Sequence, residues 1–137
     1  MAEQNVEIVR AAYDAFARGD IPSVLAAFDP GVEFIPSDAF PHGGLCRGHE
    51  EMVAYFQTFA TTYEQLEVQP DEFLDAGDHV VALGHERGRA NGMSFVTPFA
   101  HVWTLRDGKA VHWKEYLDPA QELRAHGWQA PASVAVS

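Results

Sequence analysis

PFAHVWTLRDGKAVHWKEYLD, residues 98–118, reads as two β-strands joined at LRDGK, and the type of turn decides which side chains share a face. A two-residue turn at Asp107-Gly108 would set Ala100 opposite Glu115. A three-residue turn with Gly108 in the left-handed region would set Leu105 opposite Lys109 and His101 opposite Trp113. The second register gathers Phe99, His101, Trp103, Leu105, Val111, Trp113, Glu115 and Leu117 on one face and leaves Ala100, Thr104, His112 and Lys114 on the other. A slip of one residue turns every side chain over, so burial selects register, and the three-residue turn is expected. The apolar face then carries His101 and Glu115 as diagonal neighbours on adjacent strands. A buried carboxylate without a partner is costly, so Glu115 is either paired, with Arg87 or His101 supplying the charge, or used.

Working outward, EVQPDEFLDAG (67–77) and HVVALGHERGRA (79–90) keep the period of two and add two strands. Val81, Leu83, His85 and Arg87 share a parity whose first two members look inward, which brings His85 and Arg87 toward the mouth of a pocket. Upstream the period changes. EQNVEIVRAAYDAFAR (3–18) sets Val6, Val9, Tyr13 and Phe16 on one helical stripe ended by Gly19, and IPSVLAAF (21–28), with Asp20 as N-cap and Pro22 in its first turn, predicts a second helix. VEFIP (32–36) is a short strand, and residues 37–48, with three glycines and a proline, form a loop. HEEMVAYFQTFATTYEQL (49–66) predicts a third helix with Met52, Phe56, Phe59 and Tyr63 on one face, and PAQELRAHG (119–127) a short closing helix.

Helices first and strands afterward predict an α+β fold: three N-terminal helices wrapped on a cone-shaped, curved antiparallel sheet, one domain over 1–127 with a tail over 128–137. The concave side leaves a pocket lined by alternate strand residues.

Composition narrows the function. Nine Lys+Arg against 20 Asp+Glu give a formal charge of -11 in 137 residues, which disfavours nucleic acid and anionic membrane surfaces as partners. Cys46 is the single cysteine, MAEQNVEIVR lacks the apolar stretch of a signal peptide, and no run is long enough to span a bilayer, so a cytoplasmic protein is expected. The seven histidines form no H-E-x-x-H spacing and GHERGRANG (84–92) lacks a dinucleotide-loop pattern, so neither metal nor cofactor is expected. Cys46 has His42 and His49 near it in sequence, with nothing to orient the trio as a nucleophile.

RAAYDAFARGDIPSVLAAF (10–28), VEFIP, GHEEMVAYFQTF (48–59) and PFAHVWTLRDGKAVHWKEYLD together resemble the nuclear transport factor 2-like superfamily, and within it the SnoaL-like polyketide cyclase group. The resemblance covers residues 3–127 and implies a cone of sheet wrapped by helices, commonly dimeric through the outer sheet face. Ketosteroid isomerases of this superfamily use a tyrosine, an aspartate base and a further acid at positions matching Ala12, Ile35 and His101, so their mechanism does not carry over. Limonene epoxide hydrolases use a last-strand acid, matched by Glu115, and an Arg-x-Asp pair that HVVALGHERG does not offer, which leaves epoxide opening a minor alternative. SnoaL-like cyclases use a histidine and an aspartate on the final hairpin, and His101 and Glu115 resemble that pair with Glu for Asp.

The resulting expectation is a small cofactor-free acid-base enzyme of cyclase or isomerase type, acting on an apolar carbonyl compound such as a polyketide. Glu115 would move a proton beside the carbonyl and His101 would donate to the developing enolate oxygen. Tyr13, Phe56, Phe99, Trp103 and Trp113, with His85 and Arg87, would bind the substrate, the aromatic walls favouring an uncharged Glu115 able to act both ways. The alternative is a non-catalytic ligand-binding homodimer on the same fold.

Overall fold

The computed structural model describes residues 2–37 and 44–127; the tail and the centre of the 37–48 loop lie outside them. α1 (Ala2–Ala17) buries Val9, Ala12 and Tyr13 and ends at Gly19, whose φ of 73° only glycine adopts without strain. α2 (Ile21–Ala26) follows, with the Asp20 carboxylate accepting from the Ser23 amide at 3.2 Å. β1 (Phe28–Ile35) leads to β2 (Cys46–Arg47), a two-residue strand inside the segment expected to be loop, which pairs with Glu33 and Phe34.

The third expected helix is two. α3 (Gly48–Gln57) and α4 (Phe59–Thr62) meet at Thr58, and the predicted helix residues Gln65 and Leu66 instead open β3 (Gln65–Ala76). The hydroxyls of Thr58, Thr61 and Thr62 all bond to nearby backbone carbonyls, at 2.6, 3.1 and 2.7 Å, which competes with a continuous helical ladder. β4 (His79–Ala90), β5 (Met93–Arg106) and β6 (Lys109–Leu117) complete the strands, and α5 (Ala120–Ala125) closes the described chain.

The six strands form one curved, open sheet in the order β2-β1-β6-β5-β4-β3, antiparallel except for the parallel β1–β6 pair. The helices lie against its concave face, and the core is the row of buried rings between them. Among the described residues no helix is long and apolar enough to cross a membrane.

The final hairpin corrects the expected register. Asp107 and Gly108 both take positive φ, 52° and 76°, so the turn has two residues, and Arg106 pairs with Lys109 and Leu105 with Ala110. Val111 is then a bulge, after which Thr104 pairs with His112, Trp103 with Trp113 and His101 with Glu115. The extra residue restores the parity that burial demands. The inward face is the expected one apart from Val111, which Ala110 replaces, and His101 and Glu115 stand directly opposite rather than diagonal.

β4 also differs from expectation. Its buried residues are Val80, Ala82, Glu86 and Ala90, so the even parity faces inward. His85 and Arg87 therefore point to the outer face, His85 pairing with Asp71 at 2.9 Å, and neither reaches the interior. Asp71 is itself the bulge between Pro70 and Glu72.

Candidate functional site

β5 presents Phe95, Thr97, Phe99, His101, Trp103 and Leu105 inward in unbroken alternation. Opposite them β6 presents Trp113 and Glu115, and β4 presents Glu86, paired across the sheet with Thr97. Bulk on β5 is matched by space on β4. A Cβ at Gly84 would stand 2.8 Å from Cζ of Phe99 and clash with the carbonyl of Gln69, and one at Gly88 would stand 2.7 Å from Cζ of Phe95. The glycines admit the rings, and the rings cover the gap.

A directed chain of hydrogen bonds runs through this face. Trp103 Nε1–H donates to the Tyr13 hydroxyl oxygen at 3.0 Å, the Tyr13 hydroxyl lies 2.5 Å from His101 Nδ1, and His101 Nε2 lies 3.0 Å from Glu115 Oε2. Since the Tyr13 oxygen already accepts from Trp103, its own proton goes to Nδ1, which assigns the histidine proton to Nε2 and aims it at Glu115. The other carboxylate oxygen of Glu115 accepts from the Ser37 amide at 3.4 Å. His101 is held flat between Phe99, stacked at 4.0 Å, and Tyr13, at 5.8 Å. Burial of Tyr13 pushes its hydroxyl well above the ordinary tyrosine range, so it stays protonated and keeps donating.

Tyr13, Phe56, Trp103 and Trp113 wall a cavity of about 40 Å³ onto which Glu86, His101 and Glu115 open. Phe99 instead fills the space over Gly84 behind the histidine. Next to the cavity is an outer groove of about 500 Å³ between the end of α1, α3 and α4, and the start of β3. Phe16, Phe56 and Phe59 line both, in a triangle with ring centres 5.6–6.2 Å apart. Of the residues expected at the site, the structure brings together Tyr13, Phe56, His101, Trp103, Trp113 and Glu115.

Two acids were not anticipated. Glu86 is buried at 8% exposure, with a carboxyl oxygen within 4.8 Å of Glu115 and His101, and it pairs across the sheet with Thr97, which bonds Glu122. Glu122, on α5, is fully buried and accepts from Tyr63 Oη at 2.5 Å and Thr97 Oγ1 at 2.9 Å. Glu122 and Ala125 share a helical face at i, i+3, a faint signal in so short a helix. Glu86 shares the parity of Val80 and Ala82, a signal that the larger Val81 and Leu83 outweighed.

Glu86, His101 and Glu115 each offer one ligand atom within 4.8 Å of the others, a spacing that could hold a cation. For His101 to ligate through Nε2, Nδ1 would have to take the proton and donate to Tyr13. The Tyr13 oxygen would then accept twice and its own proton would have no acceptor. The network fits proton chemistry better than a metal.

A model of the SnoaL-like domain matches residues 9–113, more than half the chain and including Tyr13, Glu86 and His101. The chain belongs to the SnoaL-like family. It is 36% identical to a nuclear transport factor 2-like protein of unknown function from Burkholderia pseudomallei, with a TM-score of 0.83 over 89% of this chain and 96% of that one. TerC, crystallised with polyporic acid, is 27% identical, with a TM-score of 0.84 over 91% and 99% of the two chains. A SnoaL-like polyketide cyclase from Jannaschia, assigned as putative, shares the fold at 21% identity, with a TM-score of 0.79 over 90% and 92%. No curated protein matches the chain. In this SnoaL-like domain the aromatic wall and the acid cluster lie on the concave side of the sheet, beneath the helices.

Proposed function

We propose that this SnoaL-like domain is a cofactor-free acid-base enzyme of the cyclase or isomerase type, acting on a flat, mostly apolar carbonyl compound. The observation that carries this is the chain from Trp103 through Tyr13 and His101 to Glu115, which ends on a carboxylate facing an aromatic cavity. Glu115 is the base, removing a proton from the carbon beside the carbonyl. Both ring nitrogens of His101 are engaged, so it acts through Glu115 as a positioning residue rather than donating to the substrate, a change from the role its sequence suggested.

Size sets how the ligand enters. The inner cavity, about 40 Å³, has room for a few waters at most, whereas a ring-containing ligand needs roughly 300–1,000 Å³. The groove, at about 500 Å³, is of that size. The ligand therefore lies in the groove and passes its reactive end between Phe16, Phe56 and Phe59 toward Glu115.

The alternative is a ligand-binding protein without turnover, favoured by the closed state of the inner cavity. Both readings accommodate a homodimer through the outer sheet face, where Val96 and Tyr116 are 41% and 51% exposed beside Val81, Leu83 and Val102. Cys46 is a free thiol, in keeping with a reducing cytoplasm.

The test is a thermal-shift and tryptophan-fluorescence screen against flat polyketides, steroids and terpenoids of one to four rings, followed by turnover of any binder. Binding that quenches or shifts the emission of Trp103 and Trp113, with product formed, is expected. Binding without product favours the alternative, and indifference to the whole panel defeats both readings.

A further inference from the structure

Three buried carboxyls, Glu115, Glu86 and Glu122, cluster on the concave side: Glu86 and Glu115 bring oxygens within 4.8 Å of each other, Glu86 pairs across the sheet with Thr97, whose hydroxyl bonds Glu122, and His101 donates to Glu115. Ionised carboxylates only accept hydrogen bonds and repel one another, so three of them buried together need a proton. The outer two already have donors: Glu115 receives His101 Nε2–H and the Ser37 amide, and Glu122 receives the hydroxyls of Tyr63 and Thr97. Glu86 lies beside these acids and has no such donor among the described residues. The proton that the run requires therefore sits on Glu86. Burial first, and then the charges of Glu115 and Glu122, push its carboxyl well above the usual range, the direction the geometry demands.

We propose that Glu86 is the proton donor of this site, a carboxylic acid held beside the base Glu115 by Glu122 and aimed at the oxygen of the bound carbonyl compound. The inference rests on the acid-base reading for its substrate, though not for the location of the proton. Ionised Glu115 takes a proton from the carbon next to the carbonyl, the electron pair of that C–H bond forms the enol double bond, and the carbonyl π pair takes the proton of Glu86. Glu115 is now the acid and Glu86 the carboxylate. When the enol attacks a second carbonyl carbon, whose π pair moves to its own oxygen and takes the proton of Glu115, or when a conjugated enol is protonated at another carbon by Glu115, the enol O–H proton returns to Glu86. The cycle closes without a co-reactant. Neighbouring carboxyls set apart in this way divide acid from base, as oppositely perturbed pairs do in other enzymes.

Glu122, five residues beyond the end of β6 and outside the sheet, does not line the cavity and serves to orient Glu86. Its burial fits that task, because the two hydroxyl donors of this fully buried acid leave lone pairs free to accept from Glu86.

Infrared spectroscopy of the whole protein in deuterium oxide at neutral pH locates the proton without any ligand. The expected result is the carbonyl stretch of a protonated carboxylic acid in the wild type, lost in Glu86→Gln and retained in Glu115→Gln. Glutamine has the shape and donor of the protonated acid, so the variant folds. Absence of the band in the wild type, or its survival in Glu86→Gln, overturns the proposal. The donor role is read from exchange of the carbon-bound protons of 2-tetralone, followed by proton NMR. Glu86→Gln is expected to lower kcat by about 10²- to 10⁴-fold with KM little changed. Exchange as fast as in the wild type overturns the donor role. An inert wild type across ketones defeats both the acid-base reading and the donor role, while the infrared band still decides where the proton resides.

Discussion

The rings of Tyr13 and His101 lie nearly parallel, 6° apart, with the Tyr13 hydroxyl 2.5 Å from Nδ1, and this contact ties the first helix to the middle of the sheet. One hydroxyl there satisfies two buried partners, accepting from Trp103 and donating to His101. Tyr13→Phe leaves both unpaired, and each orphaned buried group costs about 1–3 kcal/mol. Urea melts are expected to show a loss of at least roughly 1 kcal/mol for Tyr13→Phe. Coincident melts would mean that the chain from Trp103 to Glu115 is not held as described.

Glu115 separates a poised acid from a structural one. It is bonded to a histidine whose proton placement is that of the neutral ring, so Glu115→Gln removes a charge without stranding another. Stability is expected to stay within about 1 kcal/mol of the wild type while turnover disappears. A loss of roughly 3–5 kcal/mol would instead identify a buried ion pair with His101 and move the conclusion to the binding reading.

Glu86 makes stability depend on pH, and the sign is fixed by its raised folded-state value. Below the unfolded value of 4.5 the group is protonated in both states and contributes its full stability. Above it the unfolded chain ionises while the folded chain holds its proton, so stability declines as pH rises and levels off only once folded Glu86 itself ionises. Glu115 and His101 lie within 4.8 Å of the same group, and Tyr13 and Tyr63, whose hydroxyls burial holds well above the ordinary range, stay neutral across this window. Denaturant melts from pH 5 to 8 are expected to fall more steeply for the wild type than for Glu86→Gln. Parallel curves would place the proton elsewhere.

Light scattering at micromolar concentration is expected to give the mass of a dimer, and Val102→Glu, on the outer face of β5, the mass of a monomer with its fold intact. A concentration-independent monomeric mass for the wild type would remove the dimer from the proposal.

The final hairpin was legible because Phe95 to Leu105 alternates without interruption, so that the inward face of β5 follows from periodicity alone. The turn was not. Parity was preserved by a bulge and not by turn length, and an alternation rule counts parity without locating the extra residue. On β4 the rule selected the wrong face because Gly84 and Gly88 leave the inward positions empty for Phe99 and Phe95, while Val81 and Leu83 sit on the outer side. The missing bulk is on the neighbouring strand, where a single-strand pattern cannot see it. Glu86 was lost with that face, and Glu122 because a helix of six residues carries too little periodicity to assign its buried side.

The Val111 bulge makes the acid's position a matter of counting rather than of chemistry. Val111 brings no functional group, and exchanging its side chain leaves the tally intact. Paired without the bulge, the same residues would set Val111 opposite Thr104 and His112 opposite Trp103, turning Trp113 and Glu115 to the convex side while His101 stayed within. Deleting Val111 would instead leave His112, Trp113 and Glu115 with the partners they have, on an unbroken ladder. A relative one residue shorter at this point would thus own the same site, the gap marking a lost bulge and not a lost acid.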